Sequence, residues 1–341
     1  MSPAFFIFTD MYPDHFRTTI SVKPSDYKIS HADSFITIGS CFSNVIGHFL
    51  QSNKFDVLNN PFGTTYHPLA ITKLLNYSLY NTPPTDNGFI ENENIHYHLD
   101  FHSSLGDVSK NNCLKNITEK IEESHGYLKK KTTLIITLGT SFIYNYIKTN
   151  QTVANCHKLP AKEFTRTLSN PEEIIAQTSG MISNLLTHYP DLKIILTVSP
   201  VRHTKDTIQL NSVSKAILRL VCHELEQSFE QVSYFPSFEI MMDDLRDYRF
   251  YKDDFIHPTK IAEDYIINIF SETYFTEEII RITKEWQKVI KALHHSPKHR
   301  ESEGFKLFLQ QTSQKIKGFE NHFDVSDELK ILEKRFNETI T

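Results

Sequence analysis

At 341 residues, 39% of them hydrophobic, the chain has material for one large domain or two small ones. A net charge of −5, with only short runs such as Lys129-Lys130-Lys131, excludes a broad basic surface for nucleic acid. Four widely spaced cysteines (Cys41, Cys113, Cys156 and Cys222) contain no C-x-x-C pair, which argues against a disulfide framework or a four-cysteine zinc site.

The stretch "AFFIF" near the start follows no basic residue and stops at Asp10. It is too short for a signal peptide or a membrane span, and no later apolar run approaches about 20 residues. The expectation is a soluble, reduced, cytoplasmic protein with no membrane partner. The first strand is predicted at 35–38 (FITI), broken by Gly39. A helix over 43–52 follows, with Ser43 placed to cap it and Val45, Ile46, Phe49 and Leu50 at helical spacing. Ser40 and Cys41, two potential nucleophiles, lie in the corner between strand and helix. A second strand is predicted at 55–58. The loop "NNPFGTTYHP" follows it, where the Gly63 N–H could meet an oxyanion.

A helix at 67–80 leads into a long polar connection, 82–112. There "IHYHLDFH" alternates His96, His98, Asp100 and His102, which on a strand share one face. Such a face could hold zinc or could simply be a solvent-facing edge strand. After a helix at 114–130, the strand at 133–138 ends in "LGTSF", with Thr140 and Ser141. A second long connection, 140–168, contains "VANCHKLP". A helix at 172–190 precedes a strand at 193–198 and "SPVRH", with Ser199, Arg202 and His203. A helix at 211–229 and a strand at 231–235 bring the chain to "DDLRDYRFY". Next comes "DDFIHPTKIAEDYI", in which Asp254 and His257 stand three apart before a helix at 259–271 that Thr259 could cap. Beyond 276, three amphipathic helices carry no strand signal.

Strands alternating with helices predict a parallel sheet covered on both faces, with polar residues gathered beyond the strands' carboxyl ends. A thiol at a helix N-terminus there is expected to have a lowered pKa. An Asp three residues before a His can hold its Nδ1 face, leaving Nε2 as a general base. Taken singly, these features also fit a tight corner with an inert cysteine and a plain surface loop.

Together the segments resemble the GSCFA family, a branch of the SGNH (GDSL-like) hydrolases, over residues 16–275. The resemblance rests on "FRTTI", "IGSCFSNVIG", "NPFGTTYHP", "DFHS", "TLGTSFIY", "ANCHK", "TVSPVRHTKD", "YFPSFEIMMDDLRDYRFY" and "DFIHP". It implies a flavodoxin-like three-layer sandwich, its five-stranded parallel sheet in the order 2-1-3-4-5, with residues 276–341 as a helical extension. It places Cys41 on the nucleophile of the Gly-Asp-Ser motif, Ser40 on the Asp, Gly63 and Ser141 in the oxyanion hole, and Asp254 and His257 on the terminal Asp-x-x-His. Two departures stand out: Cys replaces the nucleophilic Ser, and Ser141 replaces the oxyanion-hole Asn.

The function expected is acyl transfer by an esterase or deacylase of small O-acyl esters, saccharide esters among them, without a cofactor. Cys41 is the expected nucleophile and Ser40 its competitor. Thr140, Arg202 and His203 are expected to line the substrate site. Three alternatives remain open at this point: an O-acyltransferase, a metal-dependent hydrolase built on His96, His98, Asp100 and His102, and a non-catalytic carbohydrate-binding or scaffold protein.

Overall fold

The computed structural model describes residues 18–205, 207–295, 297–299 and 302–338. "AFFIF", the first two residues of "FRTTI" and the last of "TVSPVRHTKD" lie outside the described residues. The α/β body opens with β1 (Ser34–Gly39), buried along its whole length, then α1 (Cys41–Ser52), β2 (Asp56–Asn59) and α2 (Pro68–Tyr80). A hairpin of β3 (Phe89–Asn92) and β4 (Ile95–His98) occupies the first long connection. Then come α3 (Lys110–Leu128) and the fully buried β5 (Thr132–Leu138). The second long connection forms an antiparallel sheet of β6 (Phe142–Tyr146), β7 (Gln151–Val153) and β8 (Phe164–Leu168). The body continues through α4 (Pro171–His188), β9 (Lys193–Val198), α5 (Ile208–Ser228), β10 (Val232–Phe235), the single turn α6 (Ser237–Glu239) and α7 (Lys260–Tyr274).

The main sheet is parallel, in the order β2-β1-β5-β9-β10. Numbered among themselves, its five strands run 2-1-3-4-5, as expected. Strand alternation sends side chains to two cores. Ile36, Ile38, Leu134, Ile136, Ile194 and Leu196 pack with residues of α2, α3, α4 and α5. Phe35, Val57, Ile135, Ile195 and Phe235 face α1 and α7. The two long connections are thus partly strand. Their strands have three to five residues and mixed polarity, too short to give a clear period.

The body closes on itself. Ser25 N–H donates to Thr273 O at 2.9 Å and Ile29 N–H to Tyr274 O at 2.8 Å, with a parallel bridge between Ile29 and Phe275. Beyond it, α8 (Glu277–His294), α9 (Glu303–Lys317) and α10 (Ser326–Asn337) surround a separate core of Trp286, Val289, Leu309 and Ile316. This unit docks on the turn after α1. Trp286 Nε1 donates to Ser52 O at 3.0 Å, Lys54 pairs with Glu328 at 2.7 Å, and Phe323 lies against His31. Among the described residues no helix is long and apolar enough to cross a membrane.

Trp286 joins both bodies and is completely buried, with Phe319 and Phe323 edge-on to its indole. Trp286→Ala is expected to lower stability by about 3–5 kcal/mol and to loosen the helical unit first. Thermal unfolding followed by near-ultraviolet circular dichroism checks this. An unchanged melting temperature would show that the unit does not depend on the indole.

Candidate active site

Gly39 ends β1 at φ +135°, and a Cβ there would lie 2.1 Å from Thr137 O, so no other residue fits the corner without displacing β5. Asn60, just past β2, clamps the glycine from the other side. Its Oδ1 accepts from Gly39 N–H at 3.2 Å and its Nδ2 donates to Gly39 O at 3.4 Å. Helix α1 begins two residues before the expected start, with Ser40 as its N-cap residue rather than Ser43. Ser43 N–H donates to Ser40 O at 2.8 Å, while the Ser43 hydroxyl is buried without a partner. The Ser40 hydroxyl is likewise buried and unbonded. The corner is held by the backbone and by Asn60, with Ser40 N–H bonded to Thr137 O at 3.0 Å.

Cys41 is the first residue of the helix and is half-buried. The expected lowering of its pKa is not found. Burial pushes the thiol up and outweighs the Phe42 N–H and the positive charge of Lys215, both of which favour the thiolate. Cys113 and Cys222 are fully buried.

The Asp254–His257 pair forms as the spacing predicts. His257 Nδ1 meets Asp254 Oδ2 at 2.7 Å, and Asp254 Oδ1 accepts from the N–H groups of Ile256 and His257 at 2.9 and 3.0 Å. Those three contacts hold the Asp254 carboxyl down at about 2. Thr259 caps α7 behind the pair by accepting from Ala262 N–H. Arg202 N–H reaches Ile256 O at 3.4 Å, which ties the pair to the loop after β9 at the sheet's carboxyl edge. Nε2 of His257 makes no hydrogen bond among the described residues, and none joins it to Cys41.

Other residues complete this edge. His203 N–H donates to Asn211 Oδ1 at 2.8 Å, and Tyr66 stands edge-on to the His203 ring at 5.1 Å. Burial pushes His203 down to about 4, assisted by Lys215, Arg166 and His257, and its Nε2 is buried without a partner. Arg202 lies over Tyr251 at 4.3 Å, and Lys205 donates to Tyr144 Oη at 2.8 Å. Lys215 of α5 lies buried beside this group. Sequence reading missed Lys215, although one signal was present: it falls on the apolar stripe of α5 with Leu218 and Cys222. Asn60 and Tyr66 gave no such signal.

The expected oxyanion donors are otherwise engaged. Gly63 N–H closes a turn onto Asn60 O at 2.8 Å, and a Cβ on Gly63, at φ +73°, would strike His102. The Ser141 hydroxyl is fully buried against Ser214, 3.1 Å from its Oγ. Thr140 Oγ1 also meets Ser214 Oγ, at 3.1 Å, and accepts from Phe142 N–H. These side chains join the start of β6 to α5 rather than pointing at a ligand.

The histidine-rich segment does not converge either. β4 ends at His98, so the alternation stops there. Asp100 is bound by Lys73 at 2.8 Å and Tyr77 at 3.0 Å. His98 Nε2 contacts Thr85 O and His102 Nδ1 contacts Ser104. Among the described residues no group of three or more His, Cys, Asp or Glu side chains could hold a metal ion. Burial also drives His67, which caps α2, down to about 3, and His157, stacked on Tyr97, down to about 4.

A parallel α/β body with a cysteine at its first strand–helix corner and an Asp–His pair before its last helix defines the class. The chain belongs to the GSCFA family, whose model matches residues 34–270; the C-terminal domain of GSCFA domain proteins matches residues 286–338. No curated protein matches the chain. A solved Streptococcus pneumonia structure, provisionally described as a platelet activating factor, is 12% identical. The match covers 74% of this chain and 84% of that one, at a TM-score of 0.37.

Proposed function

We propose that the chain is an acyl-transfer enzyme of the SGNH (GDSL-like) hydrolase type, an esterase or deacylase of small O-acyl esters, including those of saccharides. On this reading the body is a flavodoxin-like variant of the five-stranded architecture. The observation that carries the proposal is the Asp254–His257 pair, fixed at 2.7 Å with Nε2 unbonded, at the same sheet edge as Cys41. The Cys41 sulfur attacks the ester carbonyl and forms the C–S bond. His257 Nε2 takes the thiol proton as that bond forms, gives it to the alcohol oxygen as the C–O bond breaks, then takes one from the water that hydrolyses the thioester and returns it to the departing sulfur. The amides of the first turn of α1, at Cys41 and Phe42, which face the Cys41 sulfur, are the donors available to the oxyanion that forms there. General bases commonly reach hydrogen-bonding distance only in the Michaelis complex, so the open gap between His257 and Cys41 is compatible with this role.

Ester hydrolysis should be measured on a panel of p-nitrophenyl esters and O-acetylated saccharides, together with iodoacetamide labelling. Cys41→Ala is expected to abolish turnover and Ser40→Ala only to reduce it. Label should enter Cys41 before Cys113, Cys156 or Cys222. Full turnover in Cys41→Ala with loss in Ser40→Ala would make Ser40 the attacking group. A second reading, binding of such a ligand without turnover, is favoured by the engagement of Gly63 and Ser141 within the fold. A ligand-induced rise in melting temperature with no product across the panel would select it.

A further inference from the structure

Two aromatic rings beside the Asp254–His257 turn lie outside the core. Phe255 stands between the two members of the pair, at φ +55°, and is 59% exposed. The turn that lets Asp254 Oδ1 accept from Ile256 and His257 N–H sets that backbone angle. It does not call for an aromatic side chain, since asparagine or glycine adopts the left-handed region at less cost. Tyr248, 66% exposed, meets the Phe255 ring edge-on at 5.9 Å. Tyr251 lies 6.0 Å from Tyr248, and the Arg202 guanidinium spreads over both tyrosines, at 4.3 Å from Tyr251 and 5.8 Å from Tyr248. Among the described residues that guanidinium forms no ion pair. Asp247 accepts from Arg249 N–H and Asp254 faces His257, while Asp253, also on the turn, is exposed. Single exposed apolar side chains are ordinary, but two that touch each other under a guanidinium form a surface that suits a ligand.

This shelf adjoins the proposed chemistry through direct contacts. Phe255 and His257 are two residues apart, so their Cα atoms lie within about 7 Å. Arg202 N–H donates to Ile256 O at 3.4 Å, and the neighbouring His203 meets Tyr66 edge-on at 5.1 Å. Thr65 N–H then donates to Gly39 O at 2.8 Å, at the Cys41 corner. We propose that Tyr248, Phe255 and Arg202 form a subsite for a sugar ring, the alcohol half of the ester. The ring stacks on the two exposed aromatic side chains, and its hydroxyls are shared between the Arg202 guanidinium and the Asp253 carboxylate. A pyranose has an apolar face of C–H groups and a rim of hydroxyls that both donate and accept. Aromatic faces cover the first, while the guanidinium donates to the rim and the carboxylate accepts from it. An acyl chain would leave both charged groups unused, and an anion would meet Asp253 and Asp254. The subsite rests on the proposed reaction for its place in the substrate, but not for its ability to bind a sugar.

The test reads binding of unesterified sugars to the full chain, so it needs no turnover. Saturation-transfer NMR is run on trisaccharides of glucose, xylose, mannose and N-acetylglucosamine, with sodium octanoate as the acyl-chain control. At least one trisaccharide should receive saturation on its ring C–H protons. Tyr248→Ala, Phe255→Asn and Arg202→Gln should each weaken its binding about fivefold or more. Phe255→Asn should do so without lowering the melting temperature, which a merely structural ring would not allow, because asparagine suits the left-handed backbone. If Phe255→Asn does not fold, Tyr248→Ala, which lies off the turn, decides alone. The proposal is overturned if no trisaccharide binds, or if binding is undiminished in the folded ring variants. Octanoate bound in place of the sugars overturns it too, as does a dimer in sedimentation velocity that Tyr248→Ala dissolves. Trisaccharide binding in a protein with no ester turnover keeps the subsite and rejects the proposed reaction. Turnover of p-nitrophenyl acetate with no saccharide bound keeps the reaction and rejects the subsite.

Discussion

His257→Ala is expected to reduce ester turnover by about three orders of magnitude or more, the scale seen when a nucleophile loses its base. Asp254→Ala should do less harm, because the imidazole stays and loses only its orienting partner. Its residual rate should exceed that of His257→Ala by roughly a hundredfold. The pH profile carries a further expectation. Since Asp254 stays ionised down to about 2, the acid limb of the rate profile does not belong to this carboxylate. Steady-state rates from pH 4 to 10 check both points. His257→Ala as active as the parent would remove His257 from the mechanism.

Acidification is the second large effect. His67, His157 and His203 are kept neutral by burial, at about 3, 4 and 4. Their folded values lie below the unfolded value of about 6.5, so the unfolded chain binds more protons throughout that interval. Stability therefore rises with pH across it, and is lost as pH falls from about 6.5 towards 4. Each imidazole contributes on the order of 2 kcal/mol at pH 4.5. His31, His98 and His102 shift in the same direction. Urea midpoints at pH 7.0 and 4.5 should differ sharply, with proton uptake on unfolding at the lower pH. Equal midpoints would mean that these rings find solvent or partners when charged.

Most of the sheet was legible because both faces are covered. Runs such as "TLIITL" and "KIILTV" have no polar side to confuse the period, and they become β5 and β9. The Asp254–His257 pair was legible because its geometry is local, a turn of three residues. What failed depends on distant partners. Ser141 sits in the right motif, but Ser214, far along the chain, takes its hydroxyl. The histidines at 96, 98 and 102 alternate on paper, but the strand ends at His98, and the rings of His98 and His102 find separate contacts. The sign of the Cys41 shift turned on burial, which opposes the helix terminus and cannot be judged from one position. Lys215 looked like an ordinary helical lysine until the carbonyls of two strand ends came within reach.

The seam that joins residues 25–29 to 273–275 has a consequence for how the body is assembled. The Lys28 ammonium and Thr273 carbonyl that meet there are 245 positions apart, so the seam closes almost the whole body into a ring. For a flexible chain, bringing such distant points together costs about 5 kcal/mol of configurational entropy, with few local contacts to offset it along the way. The seam should thus be among the last features to form, after the strands have paired with their nearer neighbours. It is also where a circular permutation would cost least. Splicing these neighbouring segments, and opening the chain at an exposed turn elsewhere, would turn the most distant contact of the body into a local one while leaving the Gly39 corner and the Asp254–His257 turn uncut.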